Sequence, residues 1–250
     1  MAKIPTIKLT SHELQTIIDE NAVNFGGESI ILKSPTSETL YKIFNYNSSF
    51  SPEFAYPNKQ KKLQNFYDLP NLQYSVKPLS LISADSSFVG YEMTLDPLDI
   101  TLSDALLTPE QKIAYLHQVK KILEYYHKNG IIYGDVRGDN ILINMATQVA
   151  KFCDMDNAQI GTHPIDVMVP TLTEYKDARD GIDFAADSYM FNLLTLEQLT
   201  YPEESYEDIL NRISCGIYPH NFTKEAHAIL ESMTVPQEYQ GETIIQYLKK

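Results

Sequence analysis

The chain has 250 residues, of which 43% are apolar, with a formal net charge of −13 and an isoelectric point near 4.8. That apolar content suffices for one large domain or two small lobes, each with a core, while the acidity argues against a general grip on nucleic acid or on an anionic membrane surface. Cys153 and Cys215 fall in no metal-ligand spacing, the N-terminal stretch MAKIPTIKLTSHELQ lacks the apolar centre of a signal peptide, and no run of about 18 apolar residues occurs, so a soluble, cytoplasmic protein with no structural zinc, no nucleic-acid partner and no membrane span is expected.

In chain order, Ile7 to Leu9 reads as a short strand. Thr10 with Glu13 forms a capping box for a helix whose Leu14, Ile17 and Ile18 share a face and which ends near Asn21. This segment reads as an N-terminal extension leaning on the first lobe. Ala22 to Phe25, Ser29 to Lys33 and Thr39 to Phe44 predict three antiparallel strands. The turn between the first two, Gly26-Gly27-Glu28-Ser29, has glycines that let backbone amides close over phosphate oxygens; an ordinary hairpin turn is the plainer reading. Lys42, between Tyr41 and Ile43, alternates to its own face of its strand and by itself reads as a solvent-facing charge. Asn45 to Lys59 is polar and turn-rich, a surface loop. Asn58 to Leu69 predicts a helix with Leu63, Phe66 and Tyr67 as its buried stripe, and strand segments come next at Gln73 to Lys77, Leu79 to Ser83 and Phe88 to Met93.

Thr108-Pro109-Glu110-Gln111 starts a long helix with an N-cap, a proline at the first helical position and a glutamine closing the box. Ile113, Leu116, Val119, Leu123 and Tyr126 recur at helical spacing until Gly130 stops it. The stretch IIYGDVRGDNILIN, Ile131 to Asn144, then sets Asp135 and, five residues later, Asn140 on a tight loop between short buried strands. Phosphoryl transfer from a nucleotide needs such a pair: a carboxylate to orient the proton of an attacking hydroxyl and an oxygen ligand for a hard cation. Nineteen residues past Asp135, in KFCDMDNA, Asp154 ends an apolar Phe-Cys couple and is placed to hold magnesium.

Tyr133-Gly134-Asp135, Asn140 and Asp154-Met155-Asp156 resemble, in order and spacing, the catalytic loop of protein kinases (His-Arg-Asp, four residues, Asn) and their Asp-Phe-Gly metal loop. The chain is similar to a divergent member of the protein kinase-like superfamily, an atypical serine/threonine kinase domain of bacterial type. The resemblance implies an α+β, two-lobed fold, with a small antiparallel-sheet lobe over 1–93 and a larger, mainly helical lobe over 94–250. It implies ATP and Mg2+, with Lys42 on the phosphates and Gly26, Gly27 and Ser29 in the loop above them. Glu92, Met93 and Thr94 would form the connection that meets the adenine edge, and Tyr91 would guard the pocket behind it. Asn140 and Asp154 would hold the metal, Asp135 would face the acceptor hydroxyl, and Arg137 would neutralise the transferring phosphoryl group. Asp187 resembles the buried aspartate that fastens the catalytic loop from below; otherwise it is a charge favoured by a helix N-terminus.

The sequence also departs from the kinase pattern. The helix at 58–69 has no acid in its first turn, so Gln60, or a loop carboxylate such as Glu53, is expected to substitute for the glutamate that would pair with Lys42. Gly134 replaces the arginine that meets a phosphorylated segment, so activity is expected not to require phosphorylation of Thr162, Thr171, Thr173 or Tyr175. Asp156 stands where a glycine would, either adding an oxygen near the metal or stiffening the loop. His117 and His127 read as solvated or packed, and Tyr206 to Ile213, Lys224 to Met233 and Glu242 to Leu248 as three amphipathic helices. The acceptor is either a protein or a hydroxylated small molecule, since aminoglycoside and choline phosphotransferases share the fold. A nucleotide-binding scaffold without turnover is the third reading.

Overall fold

The computed structural model describes residues 3–25, 29–44, 57–69, 74–165, 172, 182–202, 204–235 and 239–249. Gly26, Gly27, Glu53, Thr171, Thr173 and Tyr175 lie outside them. The chain divides into two units, Met1–Asp99 and Ile100–Lys250.

The first unit contains β1 (Thr6–Leu9), α1 (Ser11–Asn21), β2 (Ala22–Phe25), β3 (Ser29–Lys33), β4 (Leu40–Phe44), α2 (Pro57–Tyr67), β5 (Pro78–Ala84) and β6 (Ser87–Met93). Its strands form one sheet in the order β1-β5-β6-β4-β3-β2. The pairs from β2 to β5 are antiparallel, as expected. The edge pair is not: β1 runs parallel to β5, from Thr6 opposite Leu81 to Leu9 opposite Ala84, so the sheet is mixed and the N-terminal segment is part of it. The cause lies where β1 ends. Asp85, in the β5–β6 turn, accepts hydrogen bonds from the Ser11 amide and hydroxyl, and its own amide donates to the Leu9 carbonyl at 3.1 Å. That pins the end of β1 beside the end of β5.

Thr10 caps α1 as its sequence predicts, with the Glu13 amide donating to Thr10 Oγ1 at 3.2 Å and the Thr10 amide to Glu13 Oε2 at 2.7 Å. Leu14, Ile17 and Ile18 then pack on Ile30, Leu32, Tyr41, Ile43, Ile82 and Ala84, each large side chain adding about 1.5–3 kcal/mol by burial. Two-residue alternation puts Tyr41 and Ile43 on that face of β4 and Lys42 and Phe44 on the other. Lys42 is nevertheless 5% exposed, a buried cation and not a solvated one. Residues 74–77, expected as strand, form none.

The second unit contains β7 (Asp99–Thr101), which begins at the boundary, α3 (Pro109–Lys128), β8 (Ile131–Ile132), β9 (Ile141–Asn144), β10 (Val149–Phe152), β11 (Gln159–Ile160), α4 (Phe184–Leu199), α5 (Tyr206–Ser214) and α6 (Lys224–Met233). The capping box at Thr108 forms, and Leu116, Val119, Leu123 and Tyr126 are buried as the periodicity demands. On α4 nearly every residue from Ala186 to Leu196 is buried. A helix apolar all round is a core helix. Its N-cap is Asp183, whose side chain accepts from the Ala186 amide, so Asp187 lies inside the first turn. The tail segment expected as a third helix makes only a 3-10 turn, Ile245–Tyr247. Its backbone bonds outward: the Ile244 amide donates to Asn192 Oδ1 at 2.9 Å and the Tyr247 carbonyl accepts from Thr223 at 3.0 Å.

Among the described residues, a mixed six-stranded sheet with two helices in one unit and a mainly helical second unit make the protein α+β, compatible with a two-lobed kinase-like fold. Among the described residues no helix is long and apolar enough to cross a membrane.

Candidate active site

In the second unit, two strand pairs bring two loops together. β8 pairs antiparallel with β11, and β9 with β10, Ile141 opposite Phe152. The loop from Tyr133 to Asn140 leaves β8 and enters β9; the loop from Cys153 to Ala158 leaves β10 and enters β11. They are tied directly. The Cys153 amide donates to the Asn140 carbonyl at 3.0 Å, and the Tyr133 hydroxyl donates to the Cys153 carbonyl at 2.6 Å. Tyr133 meets Phe152 edge to face at 4.4 Å between centroids, and burial pushes its hydroxyl pKa well above the ordinary value, so it stays a donor.

Asp135 and Asn140 meet on the first loop. Asn140 Nδ2 donates to Asp135 Oδ2 at 2.7 Å and to the Asp135 carbonyl at 3.1 Å. With its amide donors so committed, Asn140 offers Oδ1 to other partners. Arg137 closes a fork on the same carboxylate, Nε to Oδ1 at 2.6 Å and Nη2 to Oδ2 at 2.9 Å. The hydrogen bond to Asp135 holds the guanidinium pKa above its ordinary value. Expected to face a transferring phosphoryl group, Arg137 here faces the carboxylate.

Asp187 supports this loop from beneath, as the resemblance implies. Its side chain is 0% exposed, and it accepts from the Tyr133 amide at 2.8 Å and from the Gly134 amide at 2.6 Å. His127 Nε2 lies 2.9 Å from Asp187 Oδ2, a structural role that reading α3 alone does not disclose. Gly134 has φ +78, and a Cβ there would run into the Ile165 side chain; no arginine fits this position without moving its neighbours. Below the loop, the Tyr206 hydroxyl donates to the Val136 carbonyl at 3.3 Å. Glu197, on α4, has its Oε2 buried with no hydrogen-bond partner among the described residues, and burial raises its pKa.

Asp154 stands at φ 54, ψ 35, in the left-handed region that non-glycine residues occupy at some cost. It is exposed, whereas Asp156, two residues on, is 2% exposed. Among the described residues no three His, Cys, Asp or Glu side chains gather as a metal cage.

In the first unit, Lys42 lies opposite Ile31 on one side and Tyr91 on the other, and its Nζ is 5.9 Å from the centroid of the Phe44 ring. Phe44 also meets Tyr91, at 6.0 Å. Glu92 Oε1 accepts from Thr39 at 2.7 Å, Met93 is buried and Thr94 exposed; Ser29 is half-buried opposite Phe44. Gln60 does not replace the missing helix carboxylate: it is exposed and lines an open cleft with Thr6, Lys8, Ser83 and Asp85. The inward face of α2 carries Lys59 and Lys62 instead, both 0% exposed. Their signal is present in the sequence, since Lys59, Lys62, Leu63 and Phe66 occupy i, i+3, i+4, i+7 positions. A stripe counted from apolar residues alone passes over it.

No family model matches the chain. Curated relatives do, each at a distance. A provisionally named serine/threonine-protein kinase of Dictyostelium discoideum is 27% identical over 122 residues, 44% of this chain and 9% of that protein. A second provisionally named one, of Acanthamoeba polyphaga mimivirus, is 24% identical over 155 residues, 62% of this chain and 23% of that protein. Glycogen synthase kinase 1 of Pyricularia oryzae is 25% identical over 107 residues, 43% of this chain and 23% of that protein. The matches thus span less than a quarter of each relative. The chain is similar to these distant protein kinases over part of its length, and they support a kinase-type transferase function.

Proposed function

We propose that the chain is an ATP- and Mg2+-dependent phosphotransferase, a divergent protein kinase that phosphorylates a protein hydroxyl. One observation carries this reading: Asp135 and Asn140 share a loop that is bonded to the carbonyl preceding Asp154 and held from beneath by buried Asp187. Phosphoryl transfer needs little covalent help from a protein and much positioning, and a loop fixed from both sides supplies positioning.

On this reading Asp135 accepts the hydrogen bond of the acceptor hydroxyl and Arg137 keeps the carboxylate oriented. Lys42 meets the phosphates, with Gly26, Gly27 and Ser29 above them and Glu92 to Thr94 along the adenine edge. Asn140 Oδ1 and the Asp154 carboxylate are oxygen donors that suit a small hard cation, and Mg2+ held there would neutralise charge on the phosphates. A nucleotide-binding scaffold without turnover is the second reading, favoured by the capture of both Asp135 oxygens by Arg137.

Incubation with ATP labelled at the γ-phosphate, with mixed proteins or with the chain alone as acceptor, decides between them. Label should move to protein and Asp135→Asn should reduce the rate at least about a hundredfold. ATP binding with no transfer, unchanged by Asp135→Asn, would select the scaffold. Transfer to hydroxylated metabolites alone would change the acceptor and keep the chemistry.

A further inference from the structure

The parallel edge strand of the first unit borders a cleft. Along β1, Ile7 and Leu9 pack on the core that α1 covers, and two-residue alternation turns the exposed Thr6 and Lys8 to the opposite face. The register sets Thr6 beside Leu81 and Lys8 beside Ser83, and Ser83 in turn lies opposite Phe88. Lys8, Ser83 and Phe88 thus form one row across three strands, from a cation at the sheet edge to a half-buried ring. α2 supplies the other wall. It is fastened to the chain just ahead of β1 at Gln64, whose Oε1 accepts from the Ile4 amide at 3.1 Å. One turn earlier Gln60 is exposed and makes no such bond, and between it and the strands lies a cleft of about 510 Å³.

That volume falls within the range of about 300–1,000 Å³ that small-molecule sites occupy, and the lining is of two kinds. Leu81, at 5% exposure, and Phe88 give it an apolar surface. Around them stand Lys8, Gln60, Thr6 and Ser86, whose side chains make no hydrogen bond or ion pair among the described residues. The acid of the cleft, Asp85, is already engaged, since its carboxylate accepts from the Ser11 amide and hydroxyl. Unspent donors and one unpaired cation beside an apolar surface suit an anion that carries an apolar body.

We propose that this cleft binds a small organic anion, a carboxylate joined by a short linker to an aromatic ring, with Lys8 and Gln60 on the carboxylate and Phe88 and Leu81 against the ring. Two strand spacings, about 10 Å, separate the backbone at Lys8 from that at Phe88, so the linker must be a few carbons long. The ammonium is a compact charge with three rotatable donors and takes a carboxylate from several directions; the Gln60 amide fixes which one. An aromatic ring adds edge or offset contact with Phe88 to the area it buries. The cleft uses neither Lys42 nor a nucleotide, and it stands whether or not the chain transfers phosphate.

Titration of the full, isotope-labelled chain with phenylbutyrate in the absence of nucleotide, followed through its amide chemical shifts, tests this. Shifts should saturate at millimolar concentration and centre on Lys8, Gln60, Ser83 and Phe88. Lys8→Met should weaken binding about tenfold, the loss of one charge-assisted hydrogen bond, and Lys8→Arg should retain it. Gln60→Glu sets a like charge against the carboxylate and should also weaken it. Lys33→Met, at an exposed lysine outside the cleft lining, should bind as the unaltered protein does. Lys8 and Gln60 are both exposed, so their variants should melt as the original does. Phenylbutyramide, the same body without the charge, and benzoate, too short to reach from Lys8 to Phe88, should each bind at least about tenfold more weakly. The proposal is overturned if the shifts fail to saturate or fall outside the cleft, if acid and amide bind alike, or if Lys8→Met binds as before.

Discussion

Asp135 holds three charge-assisted hydrogen bonds within its own loop, two from Arg137 and one from Asn140. The Arg137 side chain is 47% exposed and that of Asp135 17%, so solvent screens the pair and its share of folding stability is small; its value lies in orientation. Arg137→Lys removes the planar fork and keeps the charge, so label transfer should fall about tenfold while the melting temperature hardly moves. An equal loss of both would make the fork a structural pair. Gly134→Ala places a methyl group at φ +78 against Ile165, at a cost of at least about 1–2 kcal/mol in denaturant unfolding. Glu197 yields a pH dependence. Burial raises its pKa above the ordinary 4.5, partly offset by a hydrogen bond with Gln198. Between the ordinary and the raised value the native protein binds more protons than the unfolded chain, so stability falls as pH rises through that window and does not recover above it. Glu197→Gln should therefore melt higher than the original protein at pH 7, and the gap should close as pH drops below the ordinary carboxylate range. A gap constant with pH would remove burial of the charge as its cause.

At the scale of elements, what was legible in the sequence is what neighbouring residues decide. The boxes at Thr10 and Thr108, the alternation that isolates Lys42 from Tyr41 and Ile43, and the spacing of Asp135 to Asn140 need no more than a few adjacent residues, and each is realised. What was not legible depends on distant partners. The parallel edge strand needs Asp85, 74 residues from the Ser11 it pins; the Tyr133 hydroxyl finds a carbonyl 20 residues on; His127 is recruited by Asp187 across 60 residues. Backbone groups at 244–247 also found partners elsewhere, and a third helix did not form. Asp187 joins α3, α4 and the loop, which makes it a test of how far one element holds another. Asp187→Asn leaves one acceptor oxygen where the carboxylate offered two and sets an amide donor against the donors it replaces. Unfolding should cost about 2–4 kcal/mol less than in the original protein. Hydrogen exchange should quicken at the Tyr133 and Gly134 amides before it does at Val119 in the middle of α3. Unchanged protection at those two amides would mean that the strand pairs alone hold the loop.

For the molecule as a whole, charge and arginine content bear on regulation. A phosphate added to a hydroxyl brings nearly two further negative charges, here to a chain already at −13. It orders a segment only where cations receive it, and arginine receives it best because its fork matches phosphate geometry. The chain has three arginines, Arg137, Arg179 and Arg212. Arg137 is forked on Asp135, and Arg212 is forked on Glu204, with Nε at 2.7 Å and Nη2 at 2.8 Å. Gly134 occupies the loop position from which an arginine would reach a phosphorylated segment, and at φ +78 a side chain there would have to displace Ile165. A phosphate on Thr162 would thus have to break an existing ion pair to find a partner among the described arginines. Protein treated with phosphatase until mass spectrometry shows no phosphate should transfer label as fast as untreated protein, and Thr162→Ala should do the same. Turnover lost on treatment and restored by rephosphorylation would show that a receiving cation exists, and would make Arg179, outside the described residues, the side chain to replace next.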